Sequence, residues 1–579
     1  MDFKKNQEVI LKIDDLGNNG EGIGHVDGYA LFVKEVLPGE TIRAGIMKCK
    51  KNYGFARLLE VLEPSPDRVE PQCPAARPCG GCTLQHLSYN AQLRYKENKV
   101  KNCLTRIGGV DLTTVEWLPI LGMQEETPWH YRNKAQFPVR EQLDENGKPH
   151  AVTGFYAGHS HRVIPMTDCA IQAPIMREIL EIVLAWMDNN NIPAYNEEHR
   201  TGLVRHIYIR TGYHTGQIMV CLVLNAPNKK KMGINEGKFT ALVDNLTKID
   251  GMTSICLNFN PENTNVILGK KTSTLWGEDA IEDTIGGIRY RISPQSFYQV
   301  NPVQTEKLYR TALEFADIKP GETVWDLYCG IGTISLFIAK ELGSDGEVIG
   351  VEIVPEAIEN AKENARRNGI TNARFYAGAA EEVVPKLISA DGSESAKADV
   401  VVVDPPRKGC DQTLLDTIVR MSPKRIVYVS CDPATLARDV KVLAEKGYEV
   451  KKARTCDMFP MGGHVESIVL LSHKSPDSHI DVKVEFGEGE EKVPLDKIAE
   501  RAKQYQPAPR VTYKMIQEYI EEKYGFKVHT AYIAEVKRNL GLPMYDAPNM
   551  VEELKQPRRH PTEEKVEAIK DALKHFGVI

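Results

Sequence analysis

The sequence contains no run approaching the roughly 18 consecutive apolar residues that a membrane-spanning helix needs. Its first ten residues, MDFKKNQEVI, lack the apolar core of a secretory signal. The charges nearly balance, with 73 basic and 79 acidic residues giving a net charge of −6, so charge alone indicates no partner. We therefore expect a cytoplasmic protein with no membrane association.

Cysteine is also scarce, with 12 in 579 residues, well below the density of a disulfide scaffold. In a reducing compartment, clustered thiols are more often metal ligands or nucleophiles. A chain of 579 residues is long enough for about three or four domains of roughly 150 residues each, which excludes a single small binding module.

Residues 1–63 are predicted to form a small, antiparallel, OB-like β-barrel, because short apolar alternations are separated by Gly-rich turns. The stretch 41–59 holds five basic residues and no acidic one, with Tyr53 and Phe55 interleaved. Basic groups beside exposed aromatics suit phosphates and stacked bases; the alternative is a solvated barrel face with two core aromatics. The segment resembles the TRAM RNA-binding barrel of several RNA-modifying enzymes, which implies contact with RNA.

The next two regions differ in their predicted secondary structure. Residues 64–290 hold a cysteine cluster, a predicted helix over 89–106 with a basic face, and a mixture of strands and helices typical of an α+β domain. Residues 291–472 alternate β-branched runs with helical stretches, which predicts an α/β fold with a doubly wound, Rossmann-like parallel sheet. Its predicted strands are Thr323–Leu327, Val348–Glu352, Arg374–Ala377, Asp399–Val403 and Arg425–Ser430.

Residues 473–579 are predicted to be a polar linker containing EFGEGEE (485–491) and a small helical appendage. Helical patterns cover 512–523 and 530–539. This pair could make a helix-turn-helix-like contact or serve as a plain helical cap. The sequence assigns this region no role.

The first predicted strand of the sheet leads into DLYCGIGT (326–333), which places Gly330 and Gly332 at a strand-to-helix turn. Glu352 ends the second strand 20 residues after Gly332, where an acid can accept hydrogen bonds from ribose hydroxyls. The third glycine of a dinucleotide fingerprint is absent, so S-adenosylmethionine is favoured over NAD. Two turn glycines and a surface glutamate are the alternative interpretation.

Asp404 ends the fourth predicted strand and Cys431 follows the fifth, at the carboxyl edge where ligands bind in such sheets. Asp432 fits a helix N-cap and Pro433 the first helical position. A helix N-terminus lowers the pKa of a nearby thiol, although the Asp432 charge opposes this, so Cys431 is a candidate nucleophile. A small buried core cysteine is the alternative.

The ordered motifs DLYCGIGT (326–333), DPPRKG (404–409), SCDPATLARD (430–439) and GHVES (463–467) resemble those of RNA uracil-5-methyltransferases that use S-adenosylmethionine. SPQSFYQVN (293–301) matches as well, and the resemblance covers roughly residues 1–472. It implies that Cys431 is the nucleophile and Glu466 the base, and that the cofactor is bound by Gln299, Tyr328, Glu352 and Asp404. Without it, Glu466 would be read as a surface residue.

The implied chemistry explains these residue types. Uracil C5 is too weak a nucleophile to take a methyl group directly, so a thiolate first adds to C6 and turns C5 into an enolate carbon. After methyl transfer, a carboxylate removes the C5 proton, ideally with a raised pKa in a partly desolvated pocket. The target base must also be unstacked.

Three cysteines, Cys73, Cys79 and Cys82, lie within ten residues in a Gly/Pro-rich loop, and Cys169 is a plausible fourth ligand. Their spacing suits zinc or an iron–sulfur cluster and does not decide between them. The resemblance implies a 4Fe-4S cluster with a structural or RNA-positioning role rather than radical chemistry. The other cysteines apart from Cys431 are interpreted as ordinary buried or half-buried residues.

We expect this enzyme to methylate a uridine of RNA, most simply of 23S rRNA, because the transfer-RNA relatives commonly lack the barrel and the cysteine cluster. A transfer-RNA uracil-5-methyltransferase, an RNA-binding or folding factor without turnover, and an NAD-dependent oxidoreductase are the alternatives. No protein partner is implied.

Overall fold

A computed structural model describes residues 3–124, 128–158, 160–390, 398–474, 513–540 and 560–576. The chain divides into two compact units, Met1–Ser478 and His479–Ile579. No helix among the described residues is long and apolar enough to cross a membrane. The linker predicted around 485–491 lies outside these residues.

The first unit begins with a closed five-stranded barrel in the order β1-β2-β3-β5-β4. Buried aliphatic residues such as Leu11, Leu31 and Ile42 fill it. The predicted barrel is confirmed, except that β3 and β5 pair in parallel and the other neighbours are antiparallel. The strands are β1 (Glu8–Leu16), β2 (Gly22–Val26), β3 (Tyr29–Val33), β4 (Thr41–Cys49) and β5 (Tyr53–Glu63).

The predicted basic helix is present as α1 (Tyr89–Arg106). It is followed by the short strand β6 (Glu116–Trp117), which joins the edge of the later eight-stranded sheet by pairing with its strand Tyr448–Cys456. The chain therefore adds an edge strand to the sheet in the C-terminal part of this unit before it forms the central sheet. The domain bounds 1–63, 64–290 and 291–472 stay a prediction.

A mixed seven-stranded sheet forms the central part, with the order β13-β12-β11-β10-β7-β8-β9. Apolar residues of its inner strands pack with Met176, Ile179 and Val183 of α2. The elements are β7 (Lys134–Leu143), β8 (Pro149–Tyr156), β9 (Val163–Pro165), α2 (Ile175–Asn189), β10 (Val204–Thr211), β11 (Ile218–Leu224), α3 (Thr240–Leu246), β12 (Met252–Phe259) and β13 (Lys271–Gly277). A separate hairpin follows, formed by β14 (Ile281–Ile285) and β15 (Ile288–Ile292).

The predicted doubly wound sheet is confirmed, with the order β18-β17-β16-β19-β20-β22-β21-β6. Its first five strands are parallel, and β22 runs antiparallel to β20. The strands are β16 (Thr323–Leu327), β17 (Glu347–Glu352), β18 (Ala373–Ala377), β19 (Val400–Val403), β20 (Arg425–Ser430), β21 (Tyr448–Cys456) and β22 (Glu466–His473). The helices are α4 (Pro302–Ala316), α5 (Thr333–Leu342), α6 (Pro355–Arg367), α7 (Ala380–Ala390), α8 (Gln412–Met421) and α9 (Pro433–Glu445).

The strand order reverses between β16 and β19, because the chain moves outward from β16 through β17 to β18 and then returns to the other side. In open α/β sheets, such a reversal leaves a crevice at the carboxyl ends of the strands, where ligands bind. The sequence motifs at the ends of β16, β17, β19 and β20 therefore face one crevice.

The second unit contains three described helices, α10 (Tyr513–Tyr524), α11 (Thr530–Asn539) and α12 (Glu563–His575). Ile516, Ile520, Ile533 and Ile569 are among the residues of their shared apolar core. The two predicted helices are confirmed, and α12 is additional. The core shows that this region buries its own apolar surface.

Candidate active site

A strained turn forms the floor of the crevice. Tyr328, directly after β16, has φ 134°, and the two glycines of the turn have φ 55° at Gly330 and φ 81° at Gly332. No described atom lies within 4 Å of where a Cβ on Gly330 would stand, so the backbone is open to a ligand there. A non-glycine residue in this region of φ costs about 1–3 kcal/mol and is typical of functional sites.

Glu352 lies beside this turn at the end of β17. Its carboxylate accepts hydrogen bonds from the backbone N–H groups of Gly330 at 3.3 Å and Val354 at 3.0 Å. The exposed side chains of Ile353 and Val354 follow it. An acid anchored next to an apolar surface suits a nucleoside, because it can accept from ribose hydroxyls while the apolar side chains face a base.

Two acids lie at the ends of β16 and β19, of which Asp326 is buried and Asp404 is half-buried. Asp326 accepts a 2.5 Å hydrogen bond from the Ser335 hydroxyl, yet burial raises its pKa to about 7. Burial and the charge of Asp326 likewise raise the pKa of Asp404 to about 7. Because both carboxyls have a pKa near 7, they can share a proton, and they can accept hydrogen bonds from a cationic or N–H-rich ligand.

Cys431 lies between the end of β20 and the start of α9. Asp432 is the N-cap of α9, as predicted, since its carboxylate accepts from the N–H groups of Ala434 at 2.9 Å and Thr435 at 3.1 Å, and Pro433 opens the helix. The expectation of a lowered thiol pKa is wrong for the free enzyme. Burial, with the charges of Glu466 and Asp404, raises the pKa of Cys431 to about 11.

Glu466 is the first residue of β22 and is buried. It sits close to the Cys431 segment because Ser467 pairs with Ser430 in the antiparallel β20–β22 register. Burial and the charge of Asp404 raise the pKa of Glu466 to about 8. The desolvated carboxyl expected at this position is therefore present.

Gln299 lies just before α4 and is buried, with its backbone carbonyl accepting from Asn133 Nδ2 at 3.0 Å. Phe297, two residues earlier, is 64% exposed. Gln299 thus lies in a segment fixed to the central sheet next to an exposed aromatic side chain. Its predicted contact with the cofactor stays a prediction.

Three residues to which the sequence assigned no role also belong to this crevice. The Arg407 charge lowers the pKa of both Cys431 and Glu466 and so offsets part of the effect of burial. Its guanidinium lies 3.5 Å from His464 Nε2. Tyr309, fully buried, donates to the Thr333 hydroxyl at 3.0 Å and experiences the charges of the site carboxylates. The motif DPPRKG contained Arg407, but nothing in that string indicated its neighbours.

The four predicted metal ligands, Cys73, Cys79, Cys82 and Cys169, line one cavity of about 260 Å³. The backbone N–H of Gly81 donates to Cys79 Sγ at 3.4 Å. Across the described residues, no three His, Cys, Asp or Glu side chains form a group that could hold a single metal ion. The thiols are therefore gathered around a space, and the identity of a bound group stays a prediction.

The barrel carries a cluster of three aromatic side chains on its surface, formed by Phe32, Tyr53 and Phe55. Their ring centroids are 5.6 to 5.8 Å apart. Tyr53 and Phe55 are 39% and 37% exposed, so they are not core residues of the barrel. We call this group the aromatic cluster.

The doubly wound sheet, glycine turn and carboxyl-lined crevice define a methyltransferase fold, and comparisons with known proteins identify the class further. Residues 270–474 match the tRNA (Uracil-5-)-methyltransferase family and residues 2–59 the TRAM domain. The chain belongs to the RNA uracil-5-methyltransferase family.

Among its relatives are proteins named as uncharacterized RNA methyltransferases from Clostridium acetobutylicum and Halalkalibacterium halodurans. They are 48% and 50% identical to this chain, and each match covers 81% of this chain and 97% and 98%, respectively, of the relative's own length. The solved structure of the Pyrococcus abyssi tRNA (uracil-54, C5)-methyltransferase with S-adenosyl-L-homocysteine is 27% identical, with a TM-score of 0.60. It covers 80% of this chain and 99% of that one. The expected family and enzyme class are confirmed.

Proposed function

We propose that this enzyme transfers a methyl group from S-adenosylmethionine to C5 of a uridine in 23S rRNA. The observation that carries the proposal is that Cys431, directly after β20, lies near Glu466 at the start of the adjacent antiparallel strand β22, so that the Glu466 charge contributes to the raised pKa of the thiol. Glu352 and the Tyr328–Gly332 turn would hold the nucleoside part of the cofactor. Asp404 and Gln299 would also contact the cofactor.

In the proposed reaction, Cys431 supplies the nucleophile and Glu466 the base. The Cys431 thiolate forms a bond to C6 of uracil, and the displaced π electrons make C5 nucleophilic. C5 then takes the methyl group, and the methyl–sulfur bond of the donor breaks. Glu466 accepts the C5 proton, the electron pair restores the C5–C6 double bond, and the thiolate of Cys431 leaves. The positive charge of Arg407 favours the thiolate.

The choice of 23S rRNA rests on the family resemblance, in which transfer-RNA members commonly lack the barrel and the cysteine cluster. Transfer RNA is the second candidate, since the Pyrococcus abyssi relative acts on tRNA and matches 80% of this chain. Both substrates use the same chemistry, so the site residues do not separate them.

The deciding experiment incubates the purified protein with methyl-labelled S-adenosylmethionine and separated ribosomal and transfer RNA from cells that lack this enzyme. Label in 5-methyluridine of 23S rRNA supports the proposal. Label in transfer RNA instead moves the substrate to the second candidate. Label in neither fraction contradicts both.

The aromatic cluster is proposed to stack on RNA bases beside the basic residues of β4 and β5. Base stacking on an aromatic side chain contributes about 1–3 kcal/mol by alanine substitution. We therefore expect Phe55→Ala to weaken RNA binding by about tenfold, with kcat changed less than about twofold. The measurement is RNA affinity by filter binding together with steady-state methylation.

Leu59→Ala is the matched control, because Leu59 lies on the same strand and is 38% exposed, close to the 37% of Phe55. It should bind RNA as the unchanged enzyme does. Equal effects of both substitutions would mean that the barrel contributes only apolar area.

The cysteine cavity suits an anionic group held by thiolates. Arg132 and Lys134 also line it, and Arg132 Nε is buried with no hydrogen-bond partner among the described residues. Burial and the positive charges of Arg210 and Arg132 lower the pKa of Lys134 to about 8. The positive charge on this side of the cavity therefore lacks a negative counter-charge. Thiolates around a metal centre would supply it.

We propose that Cys73, Cys79, Cys82 and Cys169 hold a 4Fe-4S cluster there. Four thiolates that each bind a different iron surround a space, whereas four ligands of one zinc ion converge on a point. Burial raises the pKa of Cys82 to about 12 and of Cys169 to about 11, so both thiols stay protonated until a metal displaces the proton. Such a cluster would act structurally.

Cys82→Ser is expected to lower bound iron from about four per chain to less than about one and to remove the broad visible absorption of the cluster. Cys49→Ser is the control, since Cys49 is an exposed thiol on the barrel. Metal analysis after anaerobic purification measures the difference. About one zinc per chain and little iron would instead assign the site to zinc.

A further inference from the structure

Helix α1 does not direct its basic residues only to solvent. Lys96 is fully buried, and its ammonium lies 2.5 Å from Asp457 Oδ1, which is also fully buried. The same ammonium donates to the carbonyl of Phe459 at 2.8 Å. Because a lysine is rarely buried unless it is paired, this ion pair specifies one placement for the segment that carries Asp457.

Asp457 begins the loop that joins β21 to β22, which we call the catalytic loop (Asp457–Val465). Its other carboxylate oxygen accepts from the Tyr89 hydroxyl of α1 at 2.9 Å. Its backbone carbonyl accepts from Gln304 Nε2 at 3.1 Å. The start of the loop is thus fixed through its carboxylate and its backbone.

Lys99, one turn further along α1, holds the far end of the same loop. Its ammonium donates to the carbonyl of Gly463 at 2.9 Å and to that of Asn18, in the barrel, at 2.7 Å. Gly463 precedes His464 and lies three residues before Glu466. Lys99 therefore connects the barrel, α1 and the end of the loop next to the proposed base.

The middle of the loop is held in a strained conformation. Met461 has φ 68°, which side chains larger than glycine rarely adopt. Its N–H donates to Gln92 Oε1 of α1 at 3.0 Å, and its carbonyl accepts from the Leu84 N–H at 3.0 Å. Strain of this kind persists only where surrounding contacts over-determine the backbone.

Further along the same face, α1 packs on the segment that carries Cys431. Val100 and Leu104 belong to one apolar cluster with Leu436 and Ala437 of α9, the helix that begins two residues after Cys431. One rigid helix therefore contacts both halves of the site.

We propose that α1 is a positioning element of the methyl-transfer site. Through the Lys96–Asp457 ion pair and the Lys99 bridge, it holds the catalytic loop, and with it Glu466, against the Cys431 segment. Neither lysine touches the reacting atoms in this proposal. It rests on the proposed roles of Cys431 and Glu466.

The test is Lys99→Met in the full chain. We expect kcat to fall about tenfold, because misplacement of a proton acceptor slows the step it serves. The apparent KM for RNA and for S-adenosylmethionine should stay within about twofold. A covalent RNA–enzyme complex, visible on a denaturing gel, should accumulate with ordinary uridine RNA, because proton removal follows its formation.

Lys101→Met is the matched control, since Lys101 lies on the same helix and pairs with Glu97 at 2.9 Å. It should keep kcat within about twofold and accumulate no complex. The second test is the double variant Lys96→Met/Asp457→Leu, because replacing a buried ion pair by apolar residues often preserves folding. We expect it to unfold near the temperature of the unchanged enzyme and to show the same loss of kcat.

Unchanged kcat and no accumulated complex in folded Lys99→Met would overturn the proposal, as would unchanged kcat in the folded double variant. If the double variant does not fold, Lys99→Met decides alone. Failure of the proposed function has a different signature: the unchanged enzyme would transfer no methyl group, or Glu466→Gln would turn over normally.

Discussion

Cys431→Ala should remove methyl transfer almost completely, lowering kcat by about 10⁴-fold or more, because the variant lacks the thiol that is proposed to add to C6. S-adenosylmethionine should still bind with an affinity within about twofold of the unchanged enzyme, since the turn and Glu352 are untouched. Single-turnover methylation of RNA and equilibrium cofactor binding measure the two effects.

Cys431→Ser is the closer control, because it keeps the shape of the side chain but offers a hydroxyl that does not ionise near neutral pH. It should be as inactive as Cys431→Ala. Because burial and nearby carboxylates raise the pKa of Cys431 to about 11, complex formation by the unchanged enzyme should accelerate as pH rises from about 6 to about 9. Residual activity within tenfold in either variant would rule out a thiolate adduct.

Glu466→Gln should slow turnover by about 10²–10⁴-fold, the usual contribution of a general base. The amide cannot accept the C5 proton, so the methylated adduct should persist as a covalent RNA–enzyme complex. Denaturing gels with labelled RNA should show this complex, together with one equivalent of transferred methyl per chain.

Asp404→Asn provides the contrast, because the Asp404 charge raises the pKa of Glu466 and Asp404 is itself a carboxyl of raised pKa, but it is proposed to bind the cofactor. It should raise the KM for S-adenosylmethionine and leave no trapped complex. Trapping in both variants would mean that the two carboxyls share the proton transfer, and trapping in neither would remove Glu466 from the base role.

The local features of this fold were predictable from sequence because short-range chemistry determines them. Asp432 and Pro433 form the expected helix start, and β16 and β20 have the predicted bounds. Alternating apolar residues likewise predicted the barrel, although the parallel pairing of β3 with β5 depends on how the closed sheet returns to its first strands.

The properties that depend on tertiary neighbours were not predictable. The proximity of a helix start favoured a low pKa for Cys431, but burial and two carboxylates from other strands raise it. The sequence predicted a basic face on α1 but not its surroundings, and Lys96 of that face is buried against Asp457, 361 residues further along the chain. Periodicity assigns a residue to a face of a helix and gives no information about what covers that face.

The Lys96–Asp457 contact spans 361 positions and the Gln92–Met461 contact 369. Closing such distant contacts is entropically costly and slow, and α1 is synthesised long before the catalytic loop. During translation, Lys96 therefore stays unpaired until almost the whole of the first unit has been synthesised. Assembly of the site is thereby delayed to the last stage of folding, and a nascent or truncated chain that ends between Cys431 and Asp457 carries the thiol without the loop and without Glu466.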